Sequence, residues 1–422
     1  MNKTEMRDQK AKPVTVLHTS DWHLGRMLYD KKRYDEHEAF LAWLSQQIRE
    51  QDVDVLVVAG DIFDTATPSH RAQALYYRFL NELLKTECRH VVLIGGNHDS
   101  PTFLDAPREL LRFMDIHVIG SVRDPVAEEV LILKDKNGRP RIIVGAAPFL
   151  RDKDIRFSES GETLQEKEEN LARGIRDHYR RLCEYANAQR AEIDAELPLL
   201  VTGHLFASGG KTIEGDGVRE LYIGSLARVD RTIFPDSIDY LALGHLHIAQ
   251  TVGGDETRRY SGSPLPMGFG EAGQQKYVFL VIFQNRQAEV TQLPIPVFQR
   301  LERVVGDLIP IREALEKLKA LNTSVWVEVS YQGAESANTV SRAIDEMVVG
   351  SRVEVLRKRN LSMIERSLSE QPSAISLEEL SPEQVFEERM NAENIPPERR
   401  DALIAAYQEI LREIKEADPF AE

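Results

Sequence analysis

The chain has 422 residues, more than one ordinary domain, and a net charge of −15 at pH 7 that excludes a uniformly basic surface. Hydrophobic residues at 42% and charged residues at 29% are globular proportions, and no apolar run approaches the roughly 20 residues of a membrane span, so a soluble protein is expected. Cys88 and Cys183 alone exclude a disulfide framework and a thiolate metal cage, and the polar stretch Met1 to Pro13 argues for the cytoplasm. Beyond that extension, short runs of Val, Ile and Leu predict buried strands at Val14 to His18, Val53 to Val58, Val91 to Ile94, Ile142 to Gly145, Leu199 to Thr202 and Tyr240 to Leu243. Apolar residues at helical spacing, Phe40 to Ile48 and Ala72 to Leu84, separate the first three. An α/β fold follows. Runs at Arg258 to Ser261, Tyr277 to Phe283 and Ala288 to Leu293 lack intervening helices and predict a second, more antiparallel sheet. The expected architecture of residues 14–296 is therefore a two-sheet sandwich flanked by helices.

After Val297 the pattern restarts. A helix from Pro310, a strand from Val325, a helix from Ala337 and a strand from Arg352 predict a small α+β capping domain over residues 297–360. Residues 361–380 read as a linker. Residues 381–422 read as a helical tail, with Ser381 and Pro382 as a helix start and Leu403, Ile404, Tyr407, Ile410, Leu411 and Ile414 on one apolar face. Residues 361–422 hold 15 acidic against 6 basic residues, a balance of −9, so the remainder is only mildly acidic and a nucleic-acid substrate stays open.

Polar clusters follow five of the predicted strands: Asp21 and His23; Gly60, Asp61 and Asp64; Gly96, Asn97, His98 and Asp99; Gly203 and His204; Gly244, His245 and His247. Carboxyl ends of strands in an open α/β sheet line the crevice where ligands bind, so separate clusters converge there. Imidazoles, carboxylates and an amide without thiolates suit Mn, Fe or Zn. Seven candidate ligands are too many for one ion, whereas two ions about 3.5 to 4 Å apart would clamp both oxygens of a phosphoryl displacement. Singly, each cluster is an ordinary strand end. His18, His37, His70, His90, His117 and His178 have no partner at ligand spacing and read as surface or satisfied core histidines. Ser261, Gly262 and Ser263 read as a turn, and Trp22, Tyr29 and Phe269 as packing residues.

The five motifs, in this order, resemble the calcineurin-type metallophosphoesterase superfamily. His18 to Gly25, Ala59 to Thr65, Tyr222 to Leu226 and Tyr260 to Pro266 resemble, more narrowly, the bacterial SbcD family of nuclease subunits. The resemblance runs from about Val14 to the C-terminal helices. It implies one ion held by Asp21, His23, Asp61 and His247 and a second by Asp61, Asn97, His204 and His245, most often Mn2+, with Asp61 bridging. It also implies His98 as the residue that stabilises developing charge or protonates the leaving oxygen, with Asp64 and Asp99 behind the ligands and Asp99 able to orient the His98 ring. Archaeal and eukaryotic relatives carry a histidine where this chain has Asp64. The implied activity is cleavage of DNA, as a double-strand exonuclease and a single-strand or hairpin endonuclease. The implied partner is an SbcC-type SMC-like ATPase, bound through the C-terminal helices in a heterotetramer of two nuclease and two ATPase subunits. A metallophosphatase or cyclic-nucleotide phosphodiesterase is the competing enzymatic reading, and a non-enzymatic scaffold does not suit seven filled ligand positions.

Overall fold

A computed structural model describes residues 12–155, 164–206 and 231–361, together with Arg400, Leu403 and Tyr407. The predicted linker and most of the predicted tail helices, including Ser381 and Pro382, lie outside the described residues, as does the Tyr222 to Leu226 motif. Residues 1–360 form one compact unit and residues 361–422 another.

Two six-stranded sheets pack face to face. In the first, Val14–Thr19, Val55–Ala59, His90–Ile94 and Ile116–Ile119 run parallel. Their sequences are continuously apolar, VLVVA at residues 55–59 for example, because both faces are covered. On the outer face lie helices Tyr34–Glu50 and His70–Leu83, with Phe40 and Phe79 edge-on to the fully buried Trp22. In the second sheet Asp255–Tyr260, Tyr240–Gly244, Leu199–His204 and Pro140–Gly145 run parallel, and the long helix Leu164–Ile193 covers the outer face. Val16, Val57 and Val92 from one sheet meet Val144, Leu200 and Ala242 from the other in the central layer.

The predicted grouping of the later strands needs correction. Tyr277–Gln284 and Gln287–Pro294 form a hairpin, but it joins the first sheet, with Tyr277–Gln284 antiparallel to Val14–Thr19. Asp255–Tyr260 belongs instead to the second sheet, parallel to Tyr240–Gly244. Apolar runs separated by turns specify strands and say nothing of which open edge each one meets.

Beyond Ile295 a strand not anticipated from the sequence, Arg300–Gly306, precedes helix Leu308–Ala320, strand Val325–Tyr331, helix Ala337–Val348 and strand Val353–Asn360. The three strands are parallel, with Val325–Tyr331 central. Alternation along that strand divides its faces: Val325, Val327 and Val329 pack on both helices, whereas Trp326 joins Leu28, Phe269 and Leu301. The second face thus rests on the sandwich through Leu28 and Phe269, helped by a Lys31–Glu354 ion pair and by Arg357 donating to the Tyr29 hydroxyl.

Candidate metal centre

All five polar clusters meet at the carboxyl ends of the parallel strands, where strand pairing brings them together: Gly244 pairs with His204, and Asp21 N–H donates to Gly60 O at 3.0 Å. Asp21, His23, Asp61, His204, His245 and His247 are buried. Asp21, His23, Asp61 and His245 also hold positive φ angles of 53°, 46°, 50° and 100°. A left-handed backbone at four non-glycine residues in one site is local strain, which the surrounding sheets must fix.

The side chains form two overlapping donor sets. In one, His23 Nε2 and His247 Nε2 face each other at 3.2 Å, with Asp21 contributing a carboxylate oxygen within 4.8 Å of both rings. In the other, Asn97 Oδ1 lies 2.9 Å from His204 Nε2 and 3.0 Å from His245 Nδ1. Asp61 sits between them, its Oδ2 at 3.6 Å from His23 Nε2 and 3.3 Å from His204 Nε2. His204 Nδ1 lies 2.9 Å from the Ala59 carbonyl, which can only accept, so Nδ1 carries a proton and Nε2 is the nitrogen turned toward the centre.

The electrostatics show how compressed this set is. Burial and the neighbouring Asp61 carboxylate push Asp21 up to about 7, against the opposing pull of His204. Burial alone would raise Asp61 as well, yet the imidazoles of His204, His23 and His98 hold it well below the carboxylate range. His204 shows the converse: burial lowers it, and the Asp61 carboxylate outweighs burial to place it at about 9. His245 is pushed down to about 3, by burial first and His204 second. Carboxylates and imidazole lone pairs packed this closely fit a divalent cation among them, and the centre is a divalent-metal site.

His98 borders the same pocket, with a ring nitrogen within 4.8 Å of ligand atoms of His23 and Asp61. Its ring Nδ1 lies 2.8 Å from the Asp64 carbonyl oxygen, and its backbone N–H donates to Asp61 Oδ1 at 2.8 Å. The ring stands edge-on to His23 with centroids 4.9 Å apart and is only half-buried. The Asp64 carboxylate accepts from Arg26 at 3.0 Å and faces His23 Nδ1 at 3.3 Å. Asp99 has a different role from the expected one of orienting the His98 ring. Its carboxylate accepts from the backbone N–H groups of Ile62, Phe63 and Gly96 at 2.9 to 3.1 Å, tying the loop that carries Asp61 to the one that carries Asn97.

Sequence reasoning missed a layer beneath the ligands. Ser20 Oγ donates to Asp21 and contacts Ser261 Oγ at 2.7 Å. The buried Lys276 ammonium donates to the His247 carbonyl at 3.0 Å and pairs with buried Glu271, while Ser263 N–H donates to that carbonyl at 3.1 Å. The turn Ser261 to Ser263 therefore braces ligand loops. Its one legible signal is a pair of serines and a glycine directly after a strand.

The fold and this centre define a metal-dependent phosphoesterase, and residues 14–249 match the calcineurin-like phosphoesterase family. Residues 297–394 match the SbcD_C family, described as the type 5 capsule protein repressor C-terminal domain. The SbcD protein of the SbcCD nuclease of Escherichia coli K12 is 38% identical over 394 residues, which cover 92% of this chain and 96% of that one. Its counterpart from Rhodobacter capsulatus is 35% identical over 72% of this chain and 76% of its own, and that from Bacillus subtilis 35% over 64% and 66%. The chain belongs to the SbcD family of nuclease subunits, and it is a metal-dependent nuclease. No helix among the described residues is long and apolar enough to cross a membrane.

Proposed function

We propose that this chain is the nuclease subunit of an SbcCD-type complex, cutting DNA phosphodiester bonds as a double-strand exonuclease and a single-strand or hairpin endonuclease. The observation that carries a two-ion centre is the position of Asp61 Oδ2, within 3.6 Å of a donor from each set. Asp21, His23, Asp61 and His247 would hold one ion, and Asp61, Asn97, His204 and His245 the other. Mn2+ suits this mixture of imidazole, carboxylate and amide oxygen. When bound, the pair supplies charge neutralisation at the phosphate and lowers the pKa of the attacking water. The protein supplies position. His98 has Nδ1 against the Asp64 carbonyl, which leaves Nε2 to meet the leaving oxygen or the charge developing on it.

The sandwich of residues 14–296 would be the catalytic domain and the sheet of residues 297–360 its cap. The tail after 380 would dock an SbcC-type ATPase, giving a cytoplasmic heterotetramer of two nuclease and two ATPase subunits. The decisive assay uses purified chain, with and without the ATPase, on end-labelled duplex and hairpin DNA in Mn2+, Mg2+ or chelator. Shortening of duplex ends and opening of hairpins in Mn2+ are expected. Hydrolysis confined to phosphomonoesters or cyclic nucleotides would reject the nuclease reading in favour of a metallophosphatase or phosphodiesterase.

A further inference from the structure

The first sheet carries another imidazole and carboxylate cluster at the end opposite the metal centre. His90 opens strand His90–Ile94, His117 lies in the neighbouring strand Ile116–Ile119, and Asp115 precedes that strand. Parallel pairing sets Val92 beside His117, and His90 is two residues from Val92, so both imidazoles share one face of the sheet. One ligand atom from each of His90, Asp115 and His117 lies within 4.8 Å of the others. Gly96 is six residue steps beyond His90 along and just past the strand, placing the cluster roughly 20 Å from the catalytic donors at about 3.3 Å per residue.

The tautomer of His90 is fixed by its surroundings. Nε2 lies 2.8 Å from the Lys134 carbonyl oxygen, which only accepts, so Nε2 carries the proton and Nδ1 presents a lone pair. That Nδ1 is buried without a hydrogen-bond partner, on a side chain 8% exposed, and faces Asp115 Oδ1 at 3.8 Å, itself an acceptor. His117 Nε2 is likewise buried and unpartnered. Each of these two imidazoles thus keeps one buried nitrogen without a hydrogen-bond partner, a feature that the reading of them as surface or satisfied core histidines does not explain. Arg89 pairs with the other Asp115 oxygen, Oδ2, at 3.5 Å, yet neither buried ring nitrogen has a donor, and acceptors turned toward one another repel unless a cation lies among them. A proton is poorly held at neutral pH, since burial lowers both imidazoles and takes His117 down to about 4, with His90 adding to the effect.

We propose that His90, Asp115 and His117 form a second metal site, taking a late first-row divalent ion of the zinc class and independent of catalysis. Two imidazoles and one carboxylate leave a fourth tetrahedral position for water. The His90 Nε2–H bond to a backbone carbonyl is the usual way a ligating imidazole is aimed. Ile116–Ile119 is an edge strand of the first sheet, and Lys134 ends an edge strand of the second. An ion there would fix Asp115 and His117 at that edge to His90, whose Nε2–H bond reaches the edge of the second sheet.

The test dialyses chelator-stripped full chain against Zn2+ and compares wild type with His117→Ala and Asp115→Asn. Asparagine is chosen because it tolerates the 56° φ at position 115 and keeps the side-chain shape. Wild type should bind one more zinc per chain than either variant, and zinc should raise its Tm further than theirs. Mn2+-dependent nuclease activity of both variants should stay at the wild-type level, which also reports their folding. Equal zinc counts in all three chains would overturn the site and leave the cluster as packing.

Discussion

Asp61 Oδ2 faces His23 Nε2 and His204 Nε2 together, so its removal should do more than subtract one donor. On the proposed two-ion centre, Asp61→Ala should lose both ions, because it removes the carboxylate placed between the two donor sets. Metal analysis after dialysis reads this directly, and two ions retained per chain would refute the bridge. His98→Ala should keep its metals and its DNA affinity while losing roughly 100- to 10,000-fold in kcat, the range of a lost general acid. Metal loss in that variant would instead make His98 a ligand. These two residues are legible in the sequence as a pair of motifs. The layer beneath them is not, since a lysine at 276, some 29 positions from the His247 carbonyl it holds, carries no local pattern that ties it to a ligand.

At the scale of strands, the site depends on close approach. A methyl group at Gly244 would lie inside 3.0 Å of the Ala59 carbonyl, Ser20 Cβ and His204 Nδ1 at once. Two of those contacts are backbone or a ligand, so Gly244→Ala should push Tyr240–Gly244 away from its neighbours, lowering Tm and metal occupancy together. A variant with wild-type melting and two bound ions would show that the strands can yield. The strands with ligands at their ends are readable because both faces are apolar and a polar doublet follows. Arg300–Gly306 is not, since its buried residues Leu301 and Val304 are three apart and pack in different clusters, so no period-two alternation marks it. The hairpin Tyr277–Gln284 with Gln287–Pro294 reads as two strands, yet its local pattern points to the wrong sheet, because sheet membership is a long-range pairing choice.

Across the whole molecule, the division of the chain into residues 1–360 and 361–422 bears on the tail. The spacing of Leu403, Ile404, Tyr407, Ile410, Leu411 and Ile414 predicts an apolar stripe that would need a groove to bury it. A chain ending at Asn360 should melt like the full chain and keep weak Mn2+-dependent cleavage, yet no longer co-purify with the ATPase. Should the tail belong to the protein's own core, the same truncation would lower Tm by several degrees, on the scale of a few kcal/mol, with binding retained.

The order of the ligands along the chain has a consequence during synthesis. Asp21, His23, Asp61 and Asn97 come before residue 100, whereas His204, His245 and His247 come after residue 200. At roughly 5 to 20 residues per second, a ribosome needs about 5 to 20 s to cross the intervening hundred. Throughout that interval each of the two proposed donor sets lacks at least one imidazole, and the His247 loop lacks its Lys276 brace until later still. On the proposed ligand assignment the growing chain cannot complete its metal centre until nearly the whole sandwich has been synthesised, so translation itself times the arming of the nuclease.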